Sequence, residues 1–226
     1  MRYVLIPGAG GAAWYWHRVT PLLQAAGHQV AAVDLPGDDE RAGLDAYTEL
    51  AIAAIGERAD TVLVAQSLGG FTAAMACARA PIAVLVFVNA MIPMPDETPS
   101  EWWDHTGHEA ARVDAAERGG YGSTFDLQTY FLHDVPPEIA AAGAPHQRPE
   151  AEVVFTSRCR FERWPDIPIH AVGGAEDRFF PIDFQHRVAR ERLGRQLGVV
   201  PGGHLCALSR PHELVGHLLG LAPAAG

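Results

Sequence analysis

Apolar positions in this chain gather in short, nearly unbroken runs, and longer stretches with mixed polar and apolar spacing separate them. Six runs stand out: Arg2–Ile6, Gln29–Asp34, Thr61–Ala65, Ile82–Asn89, Ile167–Gly173 and Arg195–Val200. Apolar runs of about four to eight residues bounded by Gly, Pro or Asp predict strands buried on both faces. Between them the spacing predicts helices over Trp16–Ala26, Leu44–Arg58, Leu68–Arg79, Pro181–Leu193 and Arg210–Leu219, with Pro181 and Pro211 suited to first-turn positions. Strand–helix alternation of this kind predicts an α/β fold, a mainly parallel sheet of about six strands covered on both sides.

One region breaks the rhythm. From 93 to 165 there is no clean strand, and Pro-rich clusters such as "MIPMPDETPS" interrupt a polar sequence. An insertion of about seventy residues is too long for a bare loop. It is expected to form a mostly helical lid over the C-terminal strand ends, where open α/β sheets bind ligands. The expected division is a core of residues 1–92 and 166–226 with the lid at 93–165. The 226 residues suit one such unit.

Bulk properties narrow the function. The net charge of −10 disfavours nucleic acid, whose binding depends on clustered Lys and Arg. The three cysteines, Cys77, Cys159 and Cys206, are too few and scattered for a disulfide framework or a zinc cage, so reduced thiols in a cytoplasmic protein are expected. Met1 leads straight into a strand-like run, so no signal peptide is expected. The longest apolar run, "IAVLVFVNAMIP", is too short to span a membrane.

The stretch "VLIPGAGGAAWYW" opens two possibilities. Gly8, Gly10 and Ala13 match the dinucleotide fingerprint G-x-G-x-x-G/A, and Asp34 ends the next run about where a ribose-binding carboxylate would stand. The rest of the chain argues against that. "TVLVAQSLGGFTAAMA" places Ser67 between a strand and a helix, the context of a nucleophile elbow. Ala65 and Gly69 supply the small neighbours that the close strand–helix approach requires, giving A-x-S-x-G where G-x-S-x-G is usual. A serine needs a base to take its proton and a third group to orient the base. Asp177 follows the fifth run in "GGAEDRFFP", and His204 follows the sixth in "VPGGHLCALSRPHEL". The order Ser, acid, His, each after a strand, is the one this elbow demands. Asp177 is preferred to the adjacent Glu176 for its spacing to Pro181. Asp34 then reads as a loop anchor or cap.

With those segments the whole chain resembles the α/β-hydrolase superfamily, closest to the branch of plant hydroxynitrile lyases and methyl-salicylate-type esterases with their bacterial relatives. The resemblance implies the α/β-hydrolase fold and an oxyanion hole made by the backbone N–H of Ala9, in the glycine turn, with that of Leu68. Losing one such donor costs about 3 kcal/mol of transition-state stabilisation. The lyases of this branch carry a threonine in the oxyanion turn and a lysine directly after the catalytic histidine. Here those places hold Gly8 and Leu205, which points to hydrolysis. Pro7 also stands where many relatives have histidine.

The expectation is a serine hydrolase that cleaves a small carboxylic ester or lactone through an acyl-serine intermediate, with Ser67, Asp177 and His204 as the triad and no cofactor. A C–C hydrolase or lyase on the same triad, and a non-catalytic ligand-binding role, are the alternatives. Trp102, Trp103, Phe131 and Leu205 are candidate pocket residues, and the tryptophans and Phe131 serve equally as pins between lid and core. His105 and His108 lie near carboxylates, but Gly107 spoils the helix that would align them, so no metal site is expected. The expected partner is a small-molecule substrate, with no nucleic acid, no membrane and a possible homodimer.

Overall fold

The computed structural model describes residues 1–221. Its sheet has six parallel strands in the order β2-β1-β3-β4-β5-β6. They are β1 (Arg2–Ile6), β2 (Gln29–Ala32), β3 (Thr61–Gln66), β4 (Val84–Val88), β5 (Ile169–Gly174) and β6 (Leu197–Val200). Alternate residues of each strand face opposite layers. Val4, Ile6, Leu63, Ala65, Leu85 and Phe87 pack with helices Leu44–Ile55, Gly69–Cys77 and Ile182–Leu193. Tyr3, Leu5, Val62, Val64, Val86 and Val172 pack with helices Thr20–Ala25 and Pro211–Leu221. Both faces are buried, which is why the strands read as continuous apolar runs. Each fully buried Leu, Val or Phe contributes about 1.5–3 kcal/mol. After β1 the chain adds β2 on one side and then crosses to place β3 on the other, so a crevice opens beyond the ends of β1 and β3.

Differences from the sequence expectation have local causes. The expected helix over Trp16–Ala26 is instead a 3-10 turn, Ala13–Trp16, and a short helix, Thr20–Ala25. Pro21 lacks an N–H, and its ring would strike the carbonyl four residues back, so a helix can begin at it but not run through it. The helix from Leu44 stops at Ile55 because Gly56 turns to φ 65. The second strand ends at Ala32, and Asp34 turns its carboxylate to the Ala13 amide at 2.9 Å.

Between β4 and β5 the structure has helices Pro99–Thr106, His108–Gly119, Leu127–Tyr130, Pro137–Gly143 and Glu152–Thr156. The first begins with a reciprocal Thr98–Glu101 capping box and ends at Gly107, φ 61. His105 pairs with Glu97 at 2.7 Å, and His108 donates from Nε2 to the Phe179 carbonyl at 2.8 Å. No helix of the described residues is long and apolar enough to cross a membrane.

His108 is buried among Trp103, Phe179, Phe180 and Phe184. Burial pushes its pKa down to about 4, against the opposing hydrogen bond to Phe179. The unfolded chain therefore binds a proton here that the native state refuses, between about pH 6.5 and pH 4. Stability falls as pH drops through that window, by on the order of 3 kcal/mol from this group. In His108→Gln, whose amide can still donate to Phe179, the melting temperature should fall less steeply over that range than in the wild type. Equal slopes would contradict this.

Candidate active site

Ser67 sits at φ 50, between the end of β3 and the helix Gly69–Cys77. A left-handed conformation at a non-glycine residue is strained and has to be held by its surroundings. The Ser67 carbonyl accepts from Met91 N at 3.0 Å and Gly70 N at 3.1 Å. A Cβ at Gly69 would collide with the Pro7 carbonyl oxygen, so only glycine lets the helix approach the turn after β1.

Asp177 and His204 come to Ser67 from the ends of β5 and β6. His204 Nε2 lies 3.1 Å from Ser67 Oγ, and His204 Nδ1 lies 2.9 Å from Asp177 Oδ2. Asp177 and His204 are buried, with His204 only 1% exposed. The Asp177 Oδ1 atom accepts from Phe179 N and Phe180 N, each at 2.8 Å, and Oδ2 also accepts from Gln185 Nε2 at 3.3 Å. The Phe131 ring stacks on the His204 imidazole at 4.8 Å and 17°, while Phe179 and Phe180 meet it edge-on. Glu176 lies beside Asp177 but turns away to accept from Gly202 N.

Several polar residues that hold this arrangement were invisible to the sequence patterns. Asn89, at φ 44 just past β4, donates to the carbonyls of Gly203 and His204, both at 3.0 Å. Its Oδ1 accepts from Gly174 N at 2.6 Å. One side chain thus joins the histidine turn to the strand that delivers Asp177. Asp134, from the insertion, accepts from Gly203 N at 2.7 Å. The one signal for Asn89 was a polar residue closing the apolar run "VLVFVN".

Ser67 and His204 open into a cavity of about 400 Å³. Ala9 and Leu68 line it beside Ser67, and among the described residues neither amide has a hydrogen-bond acceptor. Trp103, Phe131 and Leu205 also line it, as do Phe155 and Phe179. Trp102 does not. Its ring is fully buried, with Nε1 donating to the Ile92 carbonyl at 3.0 Å, so it pins the insertion to the core rather than forming the pocket wall. Asp34 is not among the residues lining the cavity; it pairs with Arg148 and accepts from Ala13 N. Cys77, Cys159 and Cys206 are buried thiols, and burial raises the pKa of each, that of Cys77 to about 12. None of them supplies a thiolate near neutral pH.

Comparison with known proteins places the fold and the family. An alpha-hydroxynitrile lyase of Arabidopsis thaliana is 37% identical over 248 residues, covering 97% of this chain and 96% of its own. A methyl jasmonate esterase of Vitis vinifera is 27% identical over 248 residues, covering 96% and 94%. The crystal structure of polyneuridine aldehyde esterase shares the fold, with a TM-score of 0.81 at 22% identity over 98% of this chain and 99% of that one. Residues 3–217 match the alpha/beta hydrolase family, and the chain belongs to it.

Proposed function

We propose that this protein hydrolyses a small, largely apolar carboxylic ester, or a lactone, through an acyl-serine intermediate. It is a carboxylesterase-like hydrolase, in keeping with relatives named as esterases and methylesterases. The observation that carries the finer reading is the hydrogen-bonded line Ser67–His204–Asp177, opening into an apolar cavity.

The chemistry follows from the positions. His204 donates its Nδ1–H to Asp177, which leaves Nε2 free to take the Ser67 proton. Ser67 Oγ attacks the ester carbonyl, and the oxyanion that forms is received by the Ala9 and Leu68 amides. His204 then passes its proton to the leaving alkoxide. A water, deprotonated by His204 in turn, releases the acid and restores the hydroxyl. Asp177 stabilises the imidazolium through both half-reactions. Residues 93–165 act as a cap that supplies Trp103 and Phe131 to the cavity wall and shields the acyl-enzyme from bulk water.

A lyase reading draws on the hydroxynitrile lyase relative. It is disfavoured because Leu205, an apolar side chain, lines the cavity directly after His204. That position holds no cation to receive a departing cyanide, and Arg148, which lines the same cavity, is paired with Asp34. A purely ligand-binding role leaves the oriented Asp177–His204 pair without purpose.

A panel of esters, thioesters and lactones graded by acyl and alcohol size should show turnover by the wild type, best for apolar neutral esters. Ser67→Ala should reduce kcat by at least about a thousandfold. Turnover that survives in Ser67→Ala would overturn the mechanism. Asn89→Ala strands the Gly203 carbonyl and the Gly174 amide, leaves the His204 carbonyl with only Gln66 Nε2 at 3.4 Å, and places alanine at φ 44. It should lose about 2 kcal/mol in denaturant melts and about tenfold in kcat, with KM nearly constant. Unchanged stability and kcat would show that Asn89 does not position His204.

A further inference from the structure

The turn that carries Ala9 does little to hold itself. One backbone bond closes it, Gly11 N to Gly8 O at 3.0 Å, and Gly10 sits at φ 81, where a chain without a Cβ is freest to move. What fixes it comes from elsewhere in the chain. Leu35 N donates to the Gly11 carbonyl at 2.8 Å. The insertion supplies the rest through the short stretch "RPE". Gly10 N donates to Glu150 Oε2 at 2.6 Å, across 140 residues of sequence. Arg148 Nε donates to the Gly10 carbonyl at 2.9 Å. The Arg148 backbone also lies directly on the turn, 2.6 Å from where a Cβ at Gly10 would stand.

Both side chains are themselves anchored to the core. Tyr47 OH donates to Glu150 Oε1 at 2.8 Å. Arg148 grips both oxygens of Asp34 at 3.0 Å, and Asp34 accepts from Ala13 N just past the turn. Ala151 N donates to the Gly37 carbonyl at 2.7 Å, fixing the end of the same stretch. The Gly10 amide and carbonyl are therefore satisfied by two anchored side chains two residues apart in sequence, next to Ala9.

We infer that Glu150, assisted by Arg148, is a positioning residue for the oxyanion hole: it holds the Gly8–Gly11 turn so that the Ala9 amide meets the developing oxyanion. The inference rests on Ser67 as nucleophile and Ala9 as oxyanion donor. The contribution comes from the acceptor atom and not from the charge. A full negative charge beside an oxyanion hole opposes the charge forming there. Glu150 lines the same cavity, and burial raises its pKa despite the donors from Gly10 and Tyr47 and the nearby Arg148 guanidinium. A neutral acceptor in the same place should serve as well.

That distinction gives the test. Glu150→Ala and Glu150→Gln are compared with wild type after titrating active sites with a fluorophosphonate, so that misfolded protein is not counted. The glutamine can accept from Gly10 N and meet Tyr47 with its amide. A trifluoromethyl ketone is the second probe. Ser67 Oγ adds to its carbonyl carbon, the proton passes to His204, and the resulting negative oxygen occupies the hole. Glu150→Ala should lose about tenfold or more in kcat with KM within about twofold. Its affinity for the ketone should fall by the same factor as kcat/KM. Glu150→Gln should recover most of both. A Glu150→Ala enzyme that keeps kcat and ketone affinity, or a glutamine variant that falls as far as alanine, overturns the inference while leaving the site intact. A wild type that neither hydrolyses esters nor binds the ketone overturns the site reading, and this inference with it.

Discussion

Ser67 is held in a left-handed backbone conformation, and the site is organised around that one strained residue. The strain, of order 1–3 kcal/mol, persists only because the packing around the turn leaves no alternative. β3 lies in the middle of the sheet, buried on both faces, and the helix that follows Ser67 is buried all round. Gly69 brings that helix against the Pro7 carbonyl, which sets the elbow directly beside the glycine turn after β1. Ser67 and the glycine turn are thus neighbours because two strands are neighbours. The topology of the sheet, in which β1 and β3 flank the crossover, fixes their spacing before any side chain does.

Around this rigid centre the polar groups act as a brace between strand ends. Asn89 couples the ends of β4, β5 and β6 by bonding Gly174, Gly203 and His204. Gln185 reaches Asp177 and the Phe180 carbonyl from the helix after β5. In a site this buried, an unpaired polar atom costs about 1–3 kcal/mol, so the bonds made by Asn89 and Gln185 both stabilise and select one geometry. The insertion joins in at two places, Asp134 on the histidine turn and Glu150 on the glycine turn. The insertion lines part of the cavity, and its side chains also hydrogen-bond the two turns beside Ser67.

Much of this was legible in the residues. The six strands, their parallel sense and the order of Ser67, Asp177 and His204 followed from apolar runs and from where small residues and turns punctuate them. These features are written locally: a nucleophile elbow needs Ala65 and Gly69 within two residues of Ser67. The bracing residues were not legible because they act across long separations and carry no local pattern. Asn89, Asp134 and Glu150 each bond backbone atoms far along the chain, and each is one polar residue among many in the sequence. The tryptophan pair shows the same limit. Trp102 and Trp103 are adjacent, yet helical geometry turns one into the core and the other toward the cavity. The dinucleotide fingerprint at Gly8–Ala13 did mark a glycine turn with amides open to acceptors: Gly10 N meets Glu150, and Ala9 lines the cavity beside Ser67.

Acylation of Ser67 during turnover is the step on which the proposed hydrolysis depends. It is tested most directly by quenching the protein in acid while it turns over a slowly deacylating p-nitrophenyl ester, digesting it, and mapping the peptide masses. The acyl group should appear on the peptide containing Ser67, at that residue, and disappear as substrate is exhausted. An acyl group on another residue, or a burst of p-nitrophenol with Ser67 unmodified, would rule out Ser67 as the nucleophile.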